Sequence, residues 1–262
     1  MKKNFKIILC LAAFSAAVFV SCNDDNEQPV AAETCLDGSL QDGLIAAYTF
    51  GAGSLTDAVG NAGLTLNGGV QAGADRNGNA GCAYVFDGQE TSYLTSQNTA
   101  FLNGLNEMSV SFWYKPDVAV EEFEILISRG DAAHCPDTHG EWSVSLYDCY
   151  KAVFGHGNSV WDNDITQFDC QEEQNLRMAS WHYVTATYNH VNNEIKIYRN
   201  GVLQNTATGS GNCGGAPVVP ADIGDLFIGK GFSGTIDDIA LYNRVLTQAE
   251  INALYTLDAC CK

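Results

Sequence analysis

The chain is short of positive charge. Thirteen Lys and Arg stand against 31 Asp and Glu in 262 residues, a formal net charge of −18. So acidic a surface repels phosphate backbones and anionic headgroups, which argues against nucleic acid as a partner and against a membrane held by a basic patch. Proline is scarce at 5 residues, and no Pro/Ser-rich stretch divides the interior into two domains. Helical periodicity is missing before residue 247. What the chain has in plenty is glycine, 26 residues, between short apolar runs that alternate in and out. That combination is the signature of an all-β fold.

One longer apolar run exists, at the start. Lys2, Lys3 and Lys6 precede Ile7–Val20, the charged and apolar regions of a secretory signal and too short and one-sided for a membrane span. It ends in Phe19-Val-Ser-Cys22, which resembles the lipobox of bacterial lipoproteins, with Phe19 where leucine is usual. The resemblance implies signal cleavage after residue 21, acylation of Cys22, and a location at the outer membrane or cell surface with the lipid anchor as the only membrane contact. The acidic run Asn23-Asp-Asp-Asn-Glu27 resembles the surface-export signal of some Gram-negative lipoproteins and reads equally well as a solvated tether. Losing residues 1–21 removes three lysines and no acid, leaving 10 Lys and Arg against 31 acids, a net charge of −21. Such a surface suits neutral ligands and bound Ca²⁺.

The chain thus divides into a signal at 1–21, a tether at 22–38 and one domain at 39–258, large enough to bury ~70–75% of its unfolded surface. Strands are expected at Gly43–Phe50, Ala83–Gly88, Ser92–Thr95, Met108–Pro116, Glu124–Arg129, Glu141–Tyr147, Ala152–Phe154, Trp181–Tyr188, Glu194–Arg199, Val202–Gln204 and Asp225–Gly229. Asn200-Gly201 predicts a type I′ hairpin turn. The last strand begins at Gly234, and Thr247 with Glu250 forms a capping-box pattern that opens a short helix carrying Ile251, Leu254 and Tyr255. Gly51 to Gly69 reads as a loop. Eight cysteines remain beyond Cys22, an even number that fits an oxidised framework outside the cell. Cys35 precedes the first strand and Cys260 and Cys261 follow the helix, so a staple between the chain ends is expected. Cys135, Cys149 and Cys170 share one insertion and are expected to pair within it or with Cys213.

In order along the chain stand Ala47-Tyr-Thr-Phe50, Tyr84-Val-Phe-Asp-Gly88, Val110-Ser-Phe-Trp-Tyr-Lys-Pro116, Trp181-His-Tyr-Val-Thr-Ala-Thr-Tyr188, Ile197-Tyr-Arg-Asn-Gly201, Phe227-Ile-Gly229 and Gly234-Thr-Ile-Asp-Asp-Ile-Ala-Leu-Tyr-Asn-Arg-Val-Leu246. Together, over residues ~40–257, they resemble the LamG-like jelly roll of the concanavalin A-like lectin/glucanase superfamily. The resemblance implies a sandwich of two antiparallel sheets with first and last strands adjacent, Cys35 near Cys260, and Trp113 and Trp181 packed in the sandwich. It also implies a structural Ca²⁺ between a loop after the first strand, here Asp57 and Asn61, and the Asp237-Asp238 pair. Backbone carbonyls and waters would complete its shell; the competing reading is that the same acids cap turns and accept from backbone amides.

The superfamily's glucanases carry Glu-x-Asp-x-(x)-Glu in one strand. The nearest stretch, Glu121-Glu-Phe-Glu124, lacks the central Asp and reads as a solvated face, while adjacent Asp237 and Asp238 should leave opposite faces of their strand. A non-catalytic binding domain is therefore expected, its partner a glycan or a cell-surface protein. His134-Cys-Pro-Asp-Thr-His139 has loose zinc spacing, but an oxidising compartment favours a disulfide at Cys135. The insertion at 130–176 holds the aromatic and polar groups a sugar site needs: Trp161 in a Gly/Asn/Asp loop as the platform, with His156, Tyr147 and Asp162 around it. Trp142, in an alternating strand, reads as core.

Overall fold

A computed structural model describes residues 35–60, 62–117, 124–131, 133–134, 138–147, 151–156, 160–163, 180–208 and 224–261, with backbone alone for 133–134, 138–139, 147, 151 and 160–163. The strands are β1 (Leu44–Tyr48), β2 (Thr65–Asn67), β3 (Gln71–Ala74), β4 (Ala80–Asp87), β5 (Tyr93–Ser96), β6 (Glu107–Pro116), β7 (Glu124–Arg129), β8 (Ala133–His134), β9 (Thr138–His139), β10 (Trp142–Tyr147), β11 (Lys151–His156), β12 (Val160–Asn163), β13 (His182–Asn189), β14 (Glu194–Arg199), β15 (Val202–Thr208), β16 (Leu226–Ile228) and β17 (Ser233–Tyr242). One helix, α1 (Gln248–Thr256), follows. The strands form two antiparallel sheets, the expected jelly-roll sandwich. The first runs β15-β14-β13-β6-β17-β4-β3, with β1 also on β17; the second runs β12-β11-β10-β7-β16-β5-β2. β8 and β9 form a separate ribbon.

Alternation explains the packing. Phe112 and Tyr114 of β6, Trp142 and Val144 of β10, Phe154 of β11 and Ile239 and Leu241 of β17 meet between the sheets, all buried. Trp142 is core, as expected. Trp113, one residue out of phase with Phe112, lies on the opposite face. There it stacks on Tyr255 of α1 (5.7 Å between centroids) and tilts against Tyr183 (5.1 Å), part of a second cluster with Leu36, Tyr242, Ile251 and Leu254. Trp181 precedes β13, half-buried, with the Lys115 ammonium 5.4 Å from its ring centre. Neither tryptophan packs between the sheets, because their strand phase points them away from that core.

The helix begins as its sequence dictates. The Thr247 side chain accepts from the Glu250 amide while the Glu250 carboxylate accepts from the Thr247 amide, a capping box contributing about 1 kcal/mol. Asn200 and Gly201 both have positive φ, 52° and 79°, as the predicted I′ turn requires. Two disulfides tie the ends: Cys35–Cys260, with 5.1 Å between Cα atoms, and Cys82–Cys261, with 5.5 Å. Each closes a very long loop, so each alone contributes on the order of 4–5 kcal/mol in the chain-entropy picture. The remaining cysteines lie outside the described residues.

β17 organises the first sheet. Along one edge it pairs with β6 throughout; along the other, Ser233–Ile236 pair with β4 and Ile239–Tyr242 with β1. The changeover falls on Asp237 and Asp238.

Candidate functional site

At that changeover the register slips: Asp237 faces Trp113 but Ala240 faces Ser111, one extra residue on β17, and Asp238 takes a left-handed φ of 45°. Regular alternation would send Asp238 into the apolar core. The bulge turns it out instead, beside Asp237, so the two carboxylates do not leave opposite faces as simple pleating predicts. Both converge on one guanidinium. Arg76 Nη1 donates to Asp237 Oδ2 at 2.9 Å and to Asp238 Oδ2 at 2.6 Å, and Nη2 donates to the Leu257 carbonyl at 3.0 Å. The guanidinium lies 4.8 Å from the Trp113 ring centre, and Asp238 Oδ2 also accepts from the Cys260 amide.

The turn bearing Arg76 is fixed in its own right. Buried Asp75 accepts from the amides of Asn77 and Asn79 and from the Asn79 side chain, which also donates to the Cys261 carbonyl. The acid pair outnumbers its cation. Burial, then the neighbouring Asp238 charge, pushes Asp237 up to about 8 against the pull of Arg76; burial likewise raises Asp238. A small pocket of about 20 Å³, partly open to solvent, lies beside the cluster, lined by Arg76, Trp113, Tyr183, Asp238, Leu254 and Cys260 among others.

These contacts bear on the expected calcium set. Asp57 Oδ1 accepts from the Ala47 and Val59 amides at 2.8 and 3.0 Å, pinning its loop to the free edge of β1, which is the turn-capping role. Asn61 lies outside the described residues. Asp237 and Asp238 are engaged by Arg76. Among the described residues no group of three or more His, Cys, Asp or Glu could hold a metal ion, and the three described acids of the expected set are each engaged by protein donors. Arg76, whose partners lie more than 160 residues away, was missed from sequence; no local pattern announces it.

On the second sheet, one row of cross-strand partners runs from edge to edge: Thr65, Thr95, Phe227, Ser128, Ser143, Gly155 and Trp161. Being one residue out of phase with the core positions, this row occupies the face away from the sandwich interior. Its middle is small and buried, at Ser128 and Ser143. Towards β5, Phe227 meets Tyr93 edge-on at 5.3 Å, both half-buried, and the Lys230 ammonium sits 5.3 and 5.7 Å from the two ring centres, paired with Asp131. The aromatic pair went unnoticed in the sequence because each residue sits in an ordinary strand.

The predicted sugar residues separate. Trp161 and Asp162 belong to strand β12 rather than a loop, with Trp161 opposite Gly155 and Asp162 opposite Phe154. Tyr147 ends β10 opposite Lys151. His156 shares the inward phase of Phe154 and is buried, its ring 3.8 Å from Tyr188 and nearly parallel to it. Burial lowers its pKa to about 3, so it is a neutral core residue and not a ligand contact. Glu124 is likewise no solvated acid: it is buried and accepts from the Ser233 amide, serving the start of β17. Glu121 and Glu122 lie outside the described residues. His134 and His139 stand on the β8–β9 ribbon, opposite Thr138 and Ala133. Cys135 and Cys22 also lie outside the described residues.

Residues 87–252 match the family model of the concanavalin A-like lectin/glucanases superfamily. No curated protein matches the chain. Among solved structures, the binding domain of Paraclostridial Mosquitocidal Protein 1 superposes with a TM-score of 0.59 at 17% identity, over 82% of this chain and 52% of that one. The binding domain of botulinum neurotoxin DC in complex with SialylT gives 0.58 at 19% identity, over 82% and 51%. The same domain in complex with rat synaptotagmin II gives 0.59 at 18%, over 82% and 51%. The chain spans about half the length of these structures, and at such identities the likeness concerns the fold alone.

Proposed function

Because the chain belongs to the concanavalin A-like lectin/glucanases superfamily, we propose that it is a non-catalytic binding module displayed at the cell surface, with a glycan as its ligand. The observation that carries this reading is the row across the outer face of the second sheet. Between the Tyr93–Phe227 pair and the β12 position of Trp161 the row runs through small, buried residues, Ser128, Ser143 and Gly155, so the half-buried aromatic pair is its described accessible part. Apolar ring faces stack on sugar rings, and flanking groups such as Lys230 and Asp131 take hydroxyls. The acidic surface favours a neutral sugar. The described glutamates of this sheet have structural partners, Glu124 at the Ser233 amide and Glu141 at Arg129, whereas a retaining hydrolase needs two carboxylates free to act about 5–5.5 Å apart. That supports binding over hydrolysis.

A glycan array tests it. Wild-type protein binds a glycan, and Phe227→Ala and Trp161→Ala each weaken binding by roughly tenfold, the worth of one stacking contact. If no glycan binds, the alternative of a protein-binding adhesion module gains; the neurotoxin domain structures with SialylT and with synaptotagmin II show one such domain with either kind of partner. Release of sugar from any polysaccharide would overturn the non-catalytic reading. Display rests on the lipobox-like Phe19-Val-Ser-Cys22. Cys22→Ser is expected to release the protein from the membrane fraction, and its retention there would count against acylation.

A further inference from the structure

We propose that the Arg76 guanidinium is a built-in cation, filling the place a divalent metal would take between Asp237 and Asp238, so that the joint between the chain's C-terminal tail and the first sheet closes without calcium. One nitrogen, Nη1, reaches both carboxylates, and the other takes the Leu257 carbonyl. Two acids and a main-chain carbonyl around one positive centre is how a protein arranges oxygen donors for a hard cation. Here the centre is a side chain. The three side chains are 9%, 0% and 9% exposed, so the charges are met inside the protein and not by water. The arginine is held for this role from two sides, by the Asp75-centred turn at its backbone and by the Trp113 face beneath its planar group. Both carboxylates keep an Oδ1 that is buried and without a hydrogen-bond partner among the described residues. One monovalent guanidinium therefore leaves donor capacity unused.

That surplus makes the proposal testable. Deleting the guanidinium leaves Oδ2 of both carboxylates and the Leu257 carbonyl around a hole, with two further Oδ1 atoms on the same acids unpartnered among the described residues, which is a start for a Ca²⁺ site. The experiment is thermal unfolding of the full mature protein, wild type and Arg76→Ala, in EDTA and in millimolar CaCl₂. Wild type is expected to melt at the same temperature in both. Arg76→Ala is expected to melt about 10 °C lower in EDTA, with calcium restoring most of the loss, and Asp238→Asn in that background is expected to abolish the recovery. Arg76→Lys, which keeps a charge near the same place, should melt between the two and ignore calcium. If Arg76→Ala is unfolded in EDTA, calcium-driven return of its β-sheet circular dichroism is the supporting result and no return is the opposing one. A wild-type melting temperature that rises with calcium, or an Arg76→Ala protein that calcium does not rescue, overturns the proposal.

Discussion

Two arginines tie the chain's ends to its last strand, and they do so in opposite electrostatic regimes. Arg244, just after β17, works near water: its two terminal nitrogens donate to Glu250 at 2.9 and 2.8 Å, its Nε lies 3.8 Å from the exposed Asp42 carboxylate, and Nε and Nη2 hold the Asp42 and Ser39 carbonyls ahead of β1. Hydrogen bonds from Arg244 hold Glu250 down to about 2. Arg76 meets two carboxylates in a drier place, and Asp237 is pushed up to about 8. The ion-pair chemistry is the same and the shifts are opposite. Burial decides the sign: near water one cation holds its acid charged, but in the dry place it cannot offset the desolvation of two acids that also repel each other.

Charge deletion should widen the contrast most. Arg76→Ala in EDTA leaves the buried Asp237–Asp238 acid pair without its cation and is expected to cost roughly 3–5 kcal/mol, against about 1 kcal/mol for Arg244→Ala, whose acid keeps the Thr247 cap and some solvent. Urea unfolding measures both, and equal losses would erase the distinction.

Next in size is the response to pH. Folded Asp237 keeps a proton that the unfolded chain releases near pH 4, so the site contributes its full stability below that point and loses it as pH rises towards 8. Glu250 does the reverse: its contribution is complete above the ordinary carboxylate range and is lost as pH falls from about 4.5 towards 2. Stability is therefore expected to peak in mild acid. Asp237→Asn should flatten the fall between pH 5 and 8. The smallest effect is expected from Glu250→Gln, which should flatten only the acid limb. Slopes unchanged in Asp237→Asn would assign the pH response to the general acidic surface.

Much of this architecture was legible in the sequence because its causes are local. Alternation in Met108–Pro116, the capping box at Thr247 and the Asn200-Gly201 turn each state their geometry within a few residues. β2 and β3 were missed because three- and four-residue strands flanked by glycine carry too little pattern, and β12 because Val-Trp-Asp-Asn reads as a turn. The site was less legible for a different reason. The bulge at Asp238 adds one residue to a pairing that only the partner strand's register reveals. The acid pair was noticed, but its cation stands 161 residues away in a turn that looks complete by itself. The sulfur of Cys82 found Cys261 on equally non-local grounds: composition said that cysteines pair, and only the meeting of β4 with the tail said which.

The two disulfides have a topological consequence. Cys260 and Cys261 are consecutive, so residue 35, residue 82 and the C-terminus are one covalent knot, and the chain between 35 and 260 is a closed ring. A protease that cuts any single peptide bond within that ring opens it without freeing a piece. One nick in an exposed loop of the ring therefore leaves its mass unchanged except for one added water, and the fragments part only when the cystines are reduced.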